Sequence, residues 1–115
     1  MSKLGFIYHP DFLKHETGIG HPERPQRLET LIQHLLGTPL WSKLSHLRPE
    51  PASLEWLHAV HPERYTSMIK SRCRVGEHVL DEGDTHVSKD SYDVALLAAG
   101  SVLLAVDRVM AGELD

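Results

Sequence analysis

At 115 residues the chain has room for one domain with a moderate core. A formal net charge of −4 with no block of like charges gives no electrostatic footprint for nucleic acid or an anionic membrane. A single cysteine, Cys73, rules out an intrachain disulfide, and no early charged-then-apolar stretch resembles a signal peptide, which together point to a reducing cytoplasm.

The segment "KLGFIYH", Lys3 to His9, is short, apolar and aromatic and breaks at Pro10, so it reads as a buried strand. After a loop marked by Gly18 and Gly20, Pro25 suits a first helical position, where a missing N–H costs nothing. Leu28, Leu31, Ile32, Leu35 and Leu36 then repeat at the spacing of one helical face, and Gly37 with Pro39 stops them. A short second strand near Leu44 and Leu47 follows. Ser53 reads as an N-cap with Glu55 in the first turn, ahead of a face made by Leu54, Leu57 and Val60 or His61. Pro62 separates this from another helix that turns Tyr65, Met68 and Ile69 inward.

Arg74 to Ser91 is rich in Gly, Asp and Ser without apolar periodicity and predicts a long loop of the functional kind. Ser88 or Asp90 then caps a last helix whose register includes Leu96, Ala99, Leu103, Val106 and Met110. The run Val94 to Val106 is too short for the roughly 18–20 residues that span a bilayer, so it reads as a helix buried in something larger. Strand, helix, strand, helix in that order predicts an α/β fold with parallel pairing.

Chemistry is harder to assemble from spacing. His58 and His61 sit three apart on a helix, and His78 and His86 fall in the long loop, but none gains a third ligand from a local pattern, so satisfied or surface histidines are the preferred reading. Cys73 lies between Arg72 and Arg74 with no base in sight, which favours a structural thiol. The stretch "GIGHPERP" lacks the Lys-Ser/Thr ending of a phosphate loop, and its prolines remove N–H donors. Arg27, near an apolar helix face, needs a partner if buried, and Asp84 stands in the acidic loop "DEGDTHVS"; for both, solvated surface charge is the simpler alternative.

Taken together, "GFIYHPDFLKHETGIGHPERPQRL", "LEWLHAVHPERY" and "DTHVSKDSYDVALLAAGSVLLAVDRVMAGELD" resemble the start of the histone deacetylase superfamily, in particular its bacterial branch of acetylpolyamine amidohydrolases and acetoin-utilisation proteins. The resemblance implies the N-terminal part of an arginase/deacetylase-like parallel-sheet domain, with residues 1–115 forming one partial domain. It implies zinc-dependent hydrolysis of an acetyl-lysine or acetylamine amide in the complete domain. The family's tandem histidines, its Asp-x-His pair and its transition-state tyrosine would all follow Asp115, so no catalytic residue and no zinc ligand is expected in this chain.

Three positions carry over individually. Asp84 matches the loop aspartate that accepts hydrogen bonds from the substrate backbone at the pocket rim. Arg27 matches an arginine beside the internal channel, and Tyr8 resembles an aromatic of the channel wall. His21 and Glu23 would build the loop and helix start without ligating zinc. The resemblance thus implies a deacetylase segment that acts on an acetylated substrate only when the rest of the domain is supplied. Its rival is a noncatalytic oligomer or binding protein built from the same fold. Because the last helix is apolar nearly all round, a homo-oligomer with that helix in its interface is expected.

Overall fold

The computed structural model describes residues 3–115, so the first two residues of the expected 1–115 domain lie outside this description. Strand β1 covers Gly5–Ile7, inside the predicted Lys3–His9. It ends early because a 3-10 turn, Pro10–Lys14, follows at once, with His9 Nδ1 accepting the Asp11 N–H at 3.0 Å. Helix α1, Pro25–Leu36, has Pro25 in its first turn, and Gly37 closes it by donating to His34 O at 3.1 Å. Strand β2, Ser45–Leu47, pairs in parallel with β1 in the register Gly5↔Ser45, Phe6↔His46 and Ile7↔Leu47. The unit β1-α1-β2 is therefore a parallel crossover, as the element order predicts.

Both edges of β1 are in use. The carbonyl of Leu4 accepts the Ser45 N–H at 2.9 Å, whereas that of Lys3 accepts the Asp115 N–H at 3.1 Å. Consecutive carbonyls of a strand point to opposite edges, so residues 114–115 run along the side of β1 away from β2.

Helix α2, Leu54–His58, starts as expected, with Ser53 Oγ accepting the Glu55 N–H at 3.4 Å. Its predicted face is mostly uncovered: only Leu57 is half-buried, while Leu54, Val60 and His61 are exposed. Helix α3, Glu63–Arg74, is rotated from the predicted register. Tyr65 and Met68 face solvent, and Thr66 and Cys73 are buried, with Ile69 and Lys70 half-buried between them. A hydroxyl can occupy that row because Thr66 Oγ1 donates to Glu63 O at 3.1 Å and lies 3.3 Å from His58 Nε2.

Helix α4, Ser91–Met110, differs in two ways. Asp90 holds the N-cap position without a side-chain cap bond, and Ser91 Oγ instead accepts the Ser88 N–H at 2.7 Å. The buried row runs through Leu97 and Gly100, so Val106 and Met110 of the expected register are 54% and 81% exposed. Gly100 decides this register: a Cβ there would overlap the Glu50 carbonyl oxygen, and the close approach lets Ala52 N–H donate to Leu96 O at 2.9 Å.

The core is small. Cys73 is fully buried with Val87 and Tyr92, packed by Ile69, Leu80 and Leu96. Burial pushes the thiol above its ordinary value because desolvation penalises the thiolate, which suits a structural cysteine. The chain exposes 8162 Å², about 1,800 Å² more than the roughly 6,300 Å² of a compact monomer of 13.0 kDa. Its radius of gyration, 16.1 Å, likewise exceeds the roughly 13 Å of a compact chain this long. Among the described residues no helix is long and apolar enough to cross a membrane.

Candidate functional site

Two loops meet at one end of the molecule: residues 15–24 ahead of α1, and residues 75–90 between α3 and α4. The second folds back on itself as a hairpin, with Val79 bridging His86, Leu80 N–H donating to Thr85 O at 3.0 Å and Val87 N–H to His78 O at 2.9 Å. Arg72 clamps its base by donating to Leu80 O at 2.7 Å and Val79 O at 3.1 Å. The tip is tied by Asp81, whose carboxylate accepts the N–H groups of Gly83 at 2.9 Å and Thr85 at 3.2 Å and the Thr85 hydroxyl. The Thr85 hydroxyl, followed by the two amides, holds the Asp81 carboxyl below the ordinary carboxylate value. Asp84 projects from this tied tip with its side chain 91% exposed.

The first loop turns through Gly18 and Gly20, both at positive φ where a side chain would be strained. Thr17, buried, donates from its hydroxyl to Glu23 O. Three hydrogen bonds sew the two loops together near α4: His15 Nδ1 to Ser91 Oγ at 2.7 Å, Ser88 Oγ to Lys14 O at 3.0 Å, and Glu16 N–H to Ser88 Oγ at 3.2 Å.

At the tip, His21 Nε2 lies 3.0 Å from Asp84 Oδ1, and the His21 ring packs against His86 with centroids 4.6 Å apart. His21 Nδ1 accepts the Glu23 N–H at 3.0 Å, which leaves Nε2 as the nitrogen that donates to Asp84. Asp84 is therefore aimed by a histidine that "HPER" supplies. His21, Asp84 and His86 each offer a ligand atom, all within 4.8 Å of one another. A cavity of about 730 Å³ opens beside them, lined by Thr17, Arg24, His78, His86 and Val87.

The other two carried-over residues lie elsewhere. Tyr8 packs edge-on to Phe12 and lines a separate cavity of about 290 Å³ with Trp41, His46 and Arg48. Arg27 is exposed on α1. The structure thus gathers Asp84 with His21 and His86 and leaves Tyr8 and Arg27 apart from them. Sequence reasoning leaves His86 unpaired because its partners are 65 and 2 positions away, the first contributed by a different loop. The one local signal is that Asp84 and His86 are two apart, and the structure joins them through a tight turn in which His86 N–H donates to Asp84 O at 3.0 Å.

A parallel β-α-β unit followed by a long loop and an apolar helix places the chain among α/β domains. The sequence profile of the histone deacetylase domain matches residues 21–115, and the chain belongs to that family. It is 36% identical over 110 residues to an uncharacterised protein of Synechocystis, covering 93% of this chain and 36% of that protein. It is 35% identical over 96 residues to a histone deacetylase-like amidohydrolase of Pseudomonas aeruginosa, covering 84% of this chain and 25% of the relative. The crystal structure of the HDA15 HD domain shares the fold, with a TM-score of 0.77 and 21% identity over 87% of this chain and 30% of that one. The chain thus spans about a third or less of the length of these relatives.

Proposed function

We propose that this chain forms the N-terminal part of a zinc-dependent amidohydrolase domain that cleaves an acetyl-lysine or acetylamine amide, with Asp84 as its substrate-positioning residue. The observation that carries the reading is Asp84 itself: within a family-matched segment, its carboxylate is exposed, tied from behind by the Asp81 turn and aimed by His21. An ionised acceptor in that position makes strong hydrogen bonds to the N–H groups of a substrate backbone.

The family's catalytic zinc is not assigned to the donors of this chain: His21, Asp84 and His86 sit on two rim loops with the Asp84 side chain 91% exposed, away from any enclosed catalytic pocket, so no step is derived through a metal here. The zinc ligands and acid–base histidines belong to the remainder of the domain. Tyr8 and Arg27 would reach the channel wall only when that remainder is packed against them. With a single buried cysteine, a cytoplasmic setting suits the domain.

A second reading, a noncatalytic oligomer, rests on the excess exposed surface. Val102, Val106, Val109 and Met110 form an open apolar face on α4 that a second copy would cover.

The test is a chimera in which residues 1–115 replace the matching portion of the Pseudomonas aeruginosa amidohydrolase. Hydrolysis of an acetyl-lysine peptide is expected, with Asp84→Asn raising KM by about tenfold, which corresponds to about one charge-assisted hydrogen bond. A folded, zinc-loaded chimera without activity would favour the noncatalytic reading.

A further inference from the structure

The geometry points to a second cation site at the rim, in which His21, Asp84 and His86 together bind a divalent transition-metal ion such as zinc or cobalt. This goes beyond the deacetylase reading and does not depend on it, since it concerns donors this chain holds by itself. Three arguments carry it.

The first is convergence from separate segments. His21 comes from one loop and Asp84 and His86 from another, and their donor atoms lie within 4.8 Å of one another. Ligands on a tetrahedral shell at 2.0–2.1 Å are spaced at about 3.4 Å, so the pair His21 Nε2 and Asp84 Oδ1, at 3.0 Å, is already near shell spacing. His86 closes the remainder with a side-chain adjustment, its ring resting against His21.

The second is that His21 is wired for the ligating tautomer. A cation on Nε2 moves the imidazole proton to Nδ1, which then needs an acceptor. Glu23 O lies 3.1 Å from Nδ1, beside the Glu23 N–H that the metal-free tautomer accepts. The same backbone residue therefore serves both tautomers, and a backbone carbonyl on the distal nitrogen is the usual orienting partner of a ligating histidine. The His21 side chain is only 11% exposed, so its ring is held for that exchange.

The third is donor chemistry and charge. Two imidazoles and a carboxylate suit zinc, cobalt or nickel and not magnesium or calcium, which prefer oxygen donors. Asp81 and Glu82, three and two positions before Asp84, add negative charge to the same loop, and the 91% exposed Asp84 side chain leaves room for water or an outside ligand. A bound cation would replace the His21–Asp84 hydrogen bond at the tip with coordination from both loops. It would also occupy the carboxylate assigned above to substrate.

The experiment is cobalt titration of the 115-residue chain followed by d–d absorption, with zinc and magnesium as competitors. One equivalent of cobalt is expected, displaced by zinc and not by magnesium. His21→Asn, Asp84→Asn and His86→Asn should each weaken binding by at least about tenfold. To separate loss of a ligand from loss of fold, the proton spectrum of the wild-type chain with substoichiometric nickel should broaden the ring signals of His21 and His86 ahead of the other histidines. No cobalt uptake, affinity unchanged in the folded variants, or broadening centred on other histidines would each overturn the site. Cobalt binding with an inactive chimera would leave this site standing and remove only the deacetylase reading.

Discussion

The two ends of α4 are held in opposite ways. Its N-terminal half sits on a small, well-filled core of Cys73, Val87 and Tyr92, flanked by loops whose polar groups are mostly paired. Its C-terminal half carries Val102, Val106, Val109 and Met110 into solvent. Apolar content therefore does not predict which end is secure, since the more hydrophobic end is the less covered. What secures the loop end is backbone accounting: Arg72, Asp81, Ser88 and Ser91 supply partners to carbonyls and amides that would otherwise be orphaned. The open end leaves those four side chains uncovered, in a chain that spans about a third or less of the length of its relatives.

The change with the largest expected effect attacks the junction between the two halves. Gly100→Ala places a Cβ on the Glu50 carbonyl, and both the helix and the Glu50–Ala52 backbone must shift to admit it. Overpacking costs about 1–3 kcal/mol when side chains can yield; here the obstacle is backbone, so the upper end of that range is expected. Urea unfolding followed by circular dichroism checks it. A midpoint equal to wild type would mean that α4 does not rest on this segment and that its two ends are not joined as described.

An intermediate effect is expected on the open side. Val106→Glu lies on exposed surface, so the stability of a single chain should change by no more than about 0.5 kcal/mol. Association is where the change should register: if the open face of α4 forms an interface between copies, a buried unpaired carboxylate there should shift the mass in light scattering from oligomer to monomer. An oligomer that survives the substitution would place its interface elsewhere, and a wild-type monomer would show that the open face is not used between copies.

The same contrast explains what was legible beforehand. The helix opening at Pro25, the Ser53 cap and the loop before α4 were readable because each depends on local chemistry such as proline geometry, capping and apolar period, and the parallel pair because strand, helix, strand order favours a crossover. The registers of α3 and α4 were not. Periodicity assumes that every apolar residue finds a cover, and here Tyr65, Met68, Val106 and Met110 do not, while Thr66 and Gly100 take buried places for hydrogen bonding and close approach. Of the site, Asp84 is singled out by family resemblance alone, and its place beside His21 is not. His21 was read as scaffold and His86 as unpaired, because their meeting is a product of two loops folding against each other.

The smallest expected effect is at the loop tip, and it concerns function more than stability. Asp81 is fully exposed, and the Thr85 hydroxyl, then the Gly83 and Thr85 amides, lower its pKa in the folded chain. A carboxylate whose folded value is depressed contributes its stabilisation above its unfolded value and loses it as pH falls through the folded value. The tip should therefore hold at neutral pH and loosen below the ordinary carboxylate range. Asp81→Asn should reproduce the loosened state at neutral pH, since an amide oxygen is a weaker acceptor for the same two N–H groups. Amide exchange at Gly83 and Thr85 should rise severalfold, and exchange at Val87 and Tyr92, in the core beneath, should stay unchanged. If Asp81 positions the tip, the chimera carrying Asp81→Asn should show a raised KM with kcat nearly intact, because Asp84 remains present but less well aimed. Unchanged exchange at Gly83 and Thr85 would mean that the His21–Asp84 bond holds the tip without the Asp81 turn. In that case His21→Asn, and not Asp81→Asn, should be the substitution that frees it.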